Sequence, residues 1–484
     1  LPTSNLGEEE PRRAARRAAQ SATPRRHPLI KALSLVLLLL AALVGYAALR
    51  LAAKPIPVTA AEEALARAAF RAGPADERVL YRGAPALWSD ASDGALPAAP
   101  PGGPLNARAA ILVDAATGAV LLERDADEPI PPASMTKLVA IYTALRAAAE
   151  GRLDLDEPFE PPAEAWASAI PPGSSLMFLG PAQIVTPRDL IAGMATVSGN
   201  DAAMALAIRL SGSVDAFARE MNAEARRLGL ERTGFVEPSG LSERNLTTAR
   251  EFADFCVSYL LEFPDAPRAL HSRTEFAFPE DRHRAPGNAE TTRLQRATNR
   301  LLGVLPGCDG LKTGFIYESG YNLALTVERD GTRFVAVTMG GPGSSTAEGN
   351  RLRSEDGTRL MEWAFSRWRT ARVAAAEPRS VTCWGGERGA FLAIPAYPAD
   401  FTAEIAIAER AASGDYAVEV DAPRAARAPV AAGDRVGEVR YLVGGKVARR
   451  VPLVADRSVG RAAFPRRVAD GAASLLVGLL DLVR

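Results

Sequence analysis

Cysteine, histidine and lysine are all scarce in this chain of 484 residues. The three cysteines, Cys256, Cys308 and Cys383, make no CxxC pair, so neither a disulfide framework nor a cysteine-built zinc site is expected. The three histidines, His27, His271 and His283, make no HExxH, which argues against histidine-based metal chemistry. No metal and no cofactor is expected. A formal net charge of zero gives no electrostatic reason to expect nucleic acid as a partner. Of 57 basic residues only Lys31, Lys54, Lys137, Lys312 and Lys446 are lysines. Guanidinium stays charged in proteins, whereas an ammonium taken out of water can become a base. The few lysines are therefore candidates for work that arginine cannot do.

What is present is an ordinary globular balance, 48% apolar and 24% charged, in a chain long enough for two folded domains plus tails. Residues 1–31 form a basic arm, with Arg12, Arg13, Arg16, Arg17, Arg25, Arg26 and Lys31 against Glu8, Glu9 and Glu10. Residues 32–53 follow as an apolar segment, whose uncharged core Ala32–Leu49 is just long enough to cross a bilayer as a helix. The arginines before it place the amino terminus in the cytoplasm and the rest outside. A signal sequence cleaved near Ala52 and Ala53 is the other reading, and it too exports the remainder.

Residues 54–104 read as a linker with a short helix around Ala60–Arg71 and the Pro/Gly-rich ending LPAAPPGGPL. A domain spanning 105–371 opens with strand patterns at Ala109–Val113 and Ala119–Glu123 and closes with a hairpin pattern, Asn322–Thr326 and Phe334–Met339. Between them lie helical patterns at Leu138–Ala148, Pro187–Met194, Ala202–Leu210 and Ser213–Leu228. Strands at both ends with helices between predict an α+β layer structure whose terminal strands share a sheet. Residues 372–463 carry short alternating runs such as AEIAIAE and YAVEVDA, the pattern of a small β-rich domain. Residues 464–484 form an amphipathic helix with Val468, Ala472, Leu475 and Leu479 on its apolar side and Arg467, Asp470 and Ser474 opposite. That helix is expected either on a membrane surface or packed on the β-rich domain.

Three short motifs carry chemistry. Pro131-Pro132 starts a helix that brings Ser134 and Lys137, three residues apart, onto one face, so that a desolvated lysine can take the serine proton. Ser198-Gly199-Asn200 interrupts two helical patterns, and Lys312-Thr313-Gly314 leads into a strand. SxxK, an S-D-N element, here read as S-G-N, and KTG in that order form the signature of penicillin-binding proteins and class A β-lactamases. Two of the five lysines are the two that this signature requires.

With ADEPIPPASMTKLVA, MATVSGNDAAMALA, GLSERNLTTARE and DGLKTGFIYESGYNLAL, the chain resembles the low-molecular-mass penicillin-binding proteins, the serine-type D-alanyl-D-alanine carboxypeptidases. The resemblance covers Asn106 to Trp368, and CWGGERG and APVAAGDRVGEVRYLVGGK extend it into that family's carboxy-terminal β domain. It implies a transpeptidase-like catalytic fold of sheet and flanking helices, followed by a sandwich-like β domain.

It further implies that Ser134 is acylated, that Lys137 is its base and that Ser198 relays a proton to the departing D-alanine. Asn200 would hold the substrate amide, Lys312 and Thr313 its carboxylate, and the N–H groups of Ser134 and Phe315, beyond Gly314, the oxyanion. Phe315 and Ile316 stand where many relatives have His and Thr, which predicts altered substrate preference with the backbone donor kept. Arg353 matches a carboxylate-holding arginine or is a surface residue. The implied partners are peptidoglycan stem peptides ending in D-Ala-D-Ala, β-lactam antibiotics and the bacterial cytoplasmic membrane, with catalysis on its outer side. The rivals are a β-lactamase and a catalytically idle peptidoglycan-binding protein, with endopeptidase activity as a variation. SGN in place of SDN, and the absence of a Glu-bearing deacylation loop, weigh against the β-lactamase.

Overall fold

The computed structural model of the chain describes residues 28–52, 96–374, 376–396, 404–410, 416–443 and 445–482, with Ala66 and Leu87. The basic arm before residue 28 and, apart from Ala66, the helix expected around residues 60–71 lie outside the described residues. Helix α1 spans Pro28–Leu51, longer at both ends than the apolar run alone. Its 23 residues from Leu29 to Leu51 have a mean hydropathy of 2.5, enough in length and composition to cross a bilayer.

Strands β1 (Ala109–Asp114) and β2 (Val120–Arg124) form the expected opening hairpin. Helices α2 (Thr136–Ala149), α3 (Pro187–Thr196), α4 (Asn200–Ser211) and α5 (Val214–Arg227) fall where the sequence pattern put them. Helix α6 (Ala249–Glu262) and the small hairpin of β3 (Glu275–Phe278) and β4 (Arg293–Arg296) were not anticipated. Then come β5 (Cys308–Ile316), β6 (Gly320–Arg329) and β7 (Thr332–Gly341), followed by α7 (Thr346–Arg367). The Lys312-Thr313-Gly314 triplet does not lead into a strand, as its sequence suggested, but lies inside β5.

These strands build one antiparallel sheet in the order β2-β1-β7-β6-β5, so first and last strands are neighbours as the α+β reading required. Alternation sorts side chains to its two faces. Ile111, Val113, Val335 and Val337 join the core under α2, α3, α4 and α6, while Ala110, Leu112, Leu325 and Phe334 join a second core under α7. β5 is left at the edge of the sheet, the kind of strand that can pair with an extended peptide.

Beyond α7, β8 (Trp368–Ala374) pairs with β11 (Glu404–Arg410) in a separate ribbon. Strands β9 (Arg379–Trp384), β10 (Ala390–Pro395), β12 (Tyr416–Asp421), β13 (Ala425–Arg427), β14 (Arg435–Val443) and β15 (Lys446–Ala455) make a six-stranded sheet. Its core holds Val381, Phe391, Val439, Tyr441 and Leu453. Helix α8 (Phe464–Leu482) ends the described chain. It turns Asp470 and Ala473 toward the protein and leaves Val468, Leu475 and Leu479 exposed, so its apolar side is not the side that packs.

Candidate active site

Three separate stretches converge on Ser134. Pro131 and Pro132 bring the chain into a short 3-10 turn, Ala133–Met135, that runs directly into α2. Ala133 holds φ at 51°, a left-handed conformation that costs a non-glycine residue about 1–3 kcal/mol. Its neighbours hold it there. A Cβ on Gly240 would lie 1.9 Å from the Ala133 carbonyl oxygen, and one on Gly314 would lie 2.5 Å from that of Pro132. Only bare backbone at the third position of Lys-Thr-Gly lets β5 lie against the serine turn.

Lys137 lies one turn along and is wholly buried. Its Nζ donates to Ser134 Oγ at 3.0 Å, to Asn200 Oδ1 at 2.6 Å and to the Ser239 carbonyl at 2.5 Å. No carboxylate is among these partners. Burial pulls the ammonium from 10.5 down to about 7, against the opposing fields of Glu237 and Asp201. The pair is thus a hydroxyl with an amine that is half deprotonated near neutrality.

Ser198 follows α3 with φ at 63°, and its buried Oγ has no hydrogen-bond partner among the described residues. Asn200 opens α4 and spends its amide oxygen on Lys137, while its N–H donates to the Ser175 carbonyl at 2.8 Å. Lys312 on β5 is 1% exposed and donates to the Thr313 carbonyl at 3.0 Å. Its ammonium lies well below the ordinary lysine value, first through burial and then through the cations Lys137 and Arg353. Thr313 is buried beside it. Phe315 is 38% exposed and stacks on Tyr321, its cross-strand partner, with ring centres 4.3 Å apart.

Arg353 is not a surface arginine. It reaches from α7 to within 3.2 Å of the Gly314 carbonyl, lies over the Tyr321 ring and is 8% exposed. Burial lowers its guanidinium to about 10, which leaves it charged at neutral pH.

Two acids were missed by sequence reasoning. Asp201, next after the S-G-N triplet, accepts the amides of Met177, Phe178 and Leu179 at 2.8, 2.7 and 2.9 Å, tying the 177–179 loop to the start of α4. An acid in the first turn of a helix was the available signal. Glu237 accepts the amides of Ser239 and Gly240, both at 2.7 Å, and so shapes the loop that offers the Ser239 carbonyl to Lys137. No local pattern marked it.

The arrangement can generate a serine nucleophile beside an edge strand, with the charged Arg353 and the Lys312 and Thr313 side chains grouped for an anionic group. Residues 96–343 match the family described as D-alanyl-D-alanine carboxypeptidase, and residues 400–461 match the penicillin-binding protein 5 C-terminal domain. The chain is 31% identical over 382 residues to the D-alanyl-D-alanine carboxypeptidase DacC of Escherichia coli, covering 76% of this chain and 87% of that one. It is 31% identical over 276 residues to a D-alanyl-D-alanine endopeptidase of Pseudomonas aeruginosa, covering 56% and 82%. The solved structure of penicillin binding protein 5 from Haemophilus influenzae superposes with a TM-score of 0.64 at 26% identity, covering 76% of this chain and all of that one.

Proposed function

We propose a mechanism from one premise: the chain belongs to the D-alanyl-D-alanine carboxypeptidase family and is a serine-type carboxypeptidase. Ser134 Oγ attacks the carbonyl between the last two D-alanines of a peptidoglycan stem peptide as neutral Lys137 takes its proton. The developing oxyanion is met by the N–H groups of Ser134 and Phe315, donors of a kind worth about 10²–10³ in rate each. Ser198 passes a proton to the departing amine, Asn200 holds the scissile region, and Lys312, Thr313 and Arg353 take the terminal carboxylate. Water then releases the acyl group from Ser134. Penicillin enters by the same attack, but its leaving group stays tethered and blocks the approach of water.

The observation that carries this reading is the buried Lys137 Nζ, 3.0 Å from Ser134 Oγ with no carboxylate bonded to it. A general base must be near its partner and deprotonated at working pH; the three-residue spacing supplies the first condition and burial the second. We assign residues 105–371 to catalysis and 372–463 to a stand that carries no catalytic group. The length and apolar composition of α1, read as a membrane span behind a basic arm, support a position for both outside the cytoplasmic membrane. Purified full-length protein given a peptide ending in D-Ala-D-Ala should release D-alanine over many turnovers and carry a stoichiometric penicillin adduct on Ser134 for minutes. Rapid penicillin turnover without D-alanine release from any stem peptide would make it a β-lactamase instead.

A further inference from the structure

The two ends of the described chain meet beside β9. On α1, Leu43, Tyr46, Ala47 and Arg50 share one face at helical spacing, and on α8 Asp470, Ala473 and Val477 do the same. Ala47 and Ala473 are buried with Trp384 of β9 in one apolar cluster bordered by Leu43, Tyr46 and Val477. Arg50 Nε and Nη2 donate to the two oxygens of Asp470 at 2.9 and 2.8 Å, and Nη2 also donates to the Cys383 carbonyl at 2.8 Å. The Tyr46 hydroxyl donates to Asp470 at 2.6 Å, and the Gly385 N–H does so at 2.7 Å. The Arg50 guanidinium also lies 5.7 Å from the centre of the Trp384 ring. Contacts move from 470 toward 477 on α8 as they move from 50 toward 43 on α1, so the helices run in opposite directions.

An arginine at the end of a lipid-facing helix ordinarily stretches toward headgroups and water. Arg50 does the reverse: its side chain is 8% exposed and that of Asp470 is wholly buried. Only 6% of the most apolar window of α1 is buried, so docking is confined to one face of its outer turns. The two-pronged geometry fixes angle as well as distance, which a lysine or a greasy contact would not. A leader removed after export has no use for such a seat. On α8 Phe464, Val468, Leu475 and Leu479 are 56–69% exposed, and α1 exposes leucines of its own, among them Leu33, Leu37 and Leu40.

We propose that α1 is a permanent part of the working enzyme, seated by the Arg50–Asp470 pair on α8 and β9, so that two antiparallel helices hold the chain in the membrane at a fixed orientation. This rests on the reading that α1 crosses the membrane. Full-length protein with an amino-terminal tag, the pair Ala47→Cys and Ala473→Cys, and a site-specific protease site between Ala91 and Ser92 tests it in isolated membranes. After mild oxidation and cutting, most of the tagged α1 fragment should stay disulfide-linked to the remainder on a denaturing gel. The control pair Leu33→Cys and Ala473→Cys should remain unlinked. Asp470→Ala should cut linking at least fivefold, and the exchange Arg50→Asp with Asp470→Arg should restore it. Linking no better than the control, or loss of the tag from the mature chain, overturns the proposal. An alkaline carbonate wash separates the two readings: a chain released by the wash yet still linked keeps the docking and refutes the membrane span.

Discussion

Two regions among the described residues bury cations in opposite ways. Around Ser134, Lys137 and Lys312 are 0% and 1% exposed, and their nitrogens meet hydroxyl, amide and carbonyl oxygens. Against the second sheet and α8, the side chains of Arg50 from α1 and of Arg457 are only 8% exposed, but each faces a carboxylate at 2.8 Å, Asp470 and Asp456 respectively. A buried ion pair keeps both partners charged and serves as a fastener. A buried ammonium without a carboxylate has a cheaper escape, which is to give up its proton. Arg353 shows the limit of that rule, since a guanidinium lowered to about 10 stays charged however it is buried.

The sharpest way to break the comparison is Lys137→Arg. The substitution keeps the positive charge and removes the ability to lose a proton near neutral pH. If the site works through an unpaired amine, acylation by a fluorescent penicillin should fall by about 10²–10⁴, the usual worth of a positioned general base. Labelling within a few-fold of the unsubstituted protein would mean that Lys137 acts as a charge, as Arg50 does.

A titration sharpens the same point with no substitution. Lys137 folds with its ammonium lowered to about 7, so the reactive neutral form is the minority below that value. The second-order rate of penicillin acylation should climb about tenfold per pH unit below 7 and level off above it. The sign for stability follows from the same depression. Between about 7 and 10.5 the unfolded lysine holds a proton that the folded one has shed, so this group makes folding more favourable as pH rises through that window. A rate profile flat from pH 5 to 8 would contradict the assignment.

How much of this was legible beforehand depends on how far apart the partners are in the chain. Ser134 and Lys137 are three residues apart on a helix, and the S-G-N and K-T-G triplets are local, so the sequence pointed to them directly. Most helices and the shared terminal strands followed from periodicity. Glu237 was not legible because its effect on Lys137 passes through a loop carbonyl 102 residues away in sequence. The Arg50–Asp470 pair spans 420 residues and leaves no periodic trace. In α8 the polar side of the expected amphipathic helix proved to be the packed side, because Asp470 found Arg50. Periodicity reports which side is apolar, and a buried charge pair can decide which side docks.

A smaller effect is expected at Phe315, where the sequence departs from the histidine of many relatives. Its ring stacks on Tyr321 on the surface of β5, while its proposed catalytic contribution is a backbone N–H. Phe315→His exchanges one flat ring for another and leaves that donor in place. Penicillin acylation should change by no more than about threefold, with any larger shift confined to KM for stem peptides. A loss of acylation beyond about thirtyfold would give the side chain a role in the chemistry.

The smallest effect expected is from removing the fastened region altogether. Beyond Ala374 the described hydrogen bonds run within the second sheet, to the two terminal helices and from β11 to β8. The links back to the catalytic sheet come from β8, where the Thr370 hydroxyl donates to Asp114 at 2.8 Å and the Thr370 N–H donates to Thr332 at 2.9 Å. Trp368 also packs against the core beneath α7. A chain ending at Arg372 keeps all three contacts, gives up the pairing of β8 with β11, and removes the second sheet and the α8 seat of α1. It also keeps every residue assigned a part in acylation, and Lys137 owes its low pKa to burial among α2, α4 and the Ser239 loop, none of which the cut touches. The shortened protein, shown to be folded by circular dichroism, should therefore label with penicillin within about twofold of the full chain. If the folded form fails to label, the two regions are coupled, and the division into a chemical half and a fastening half is wrong.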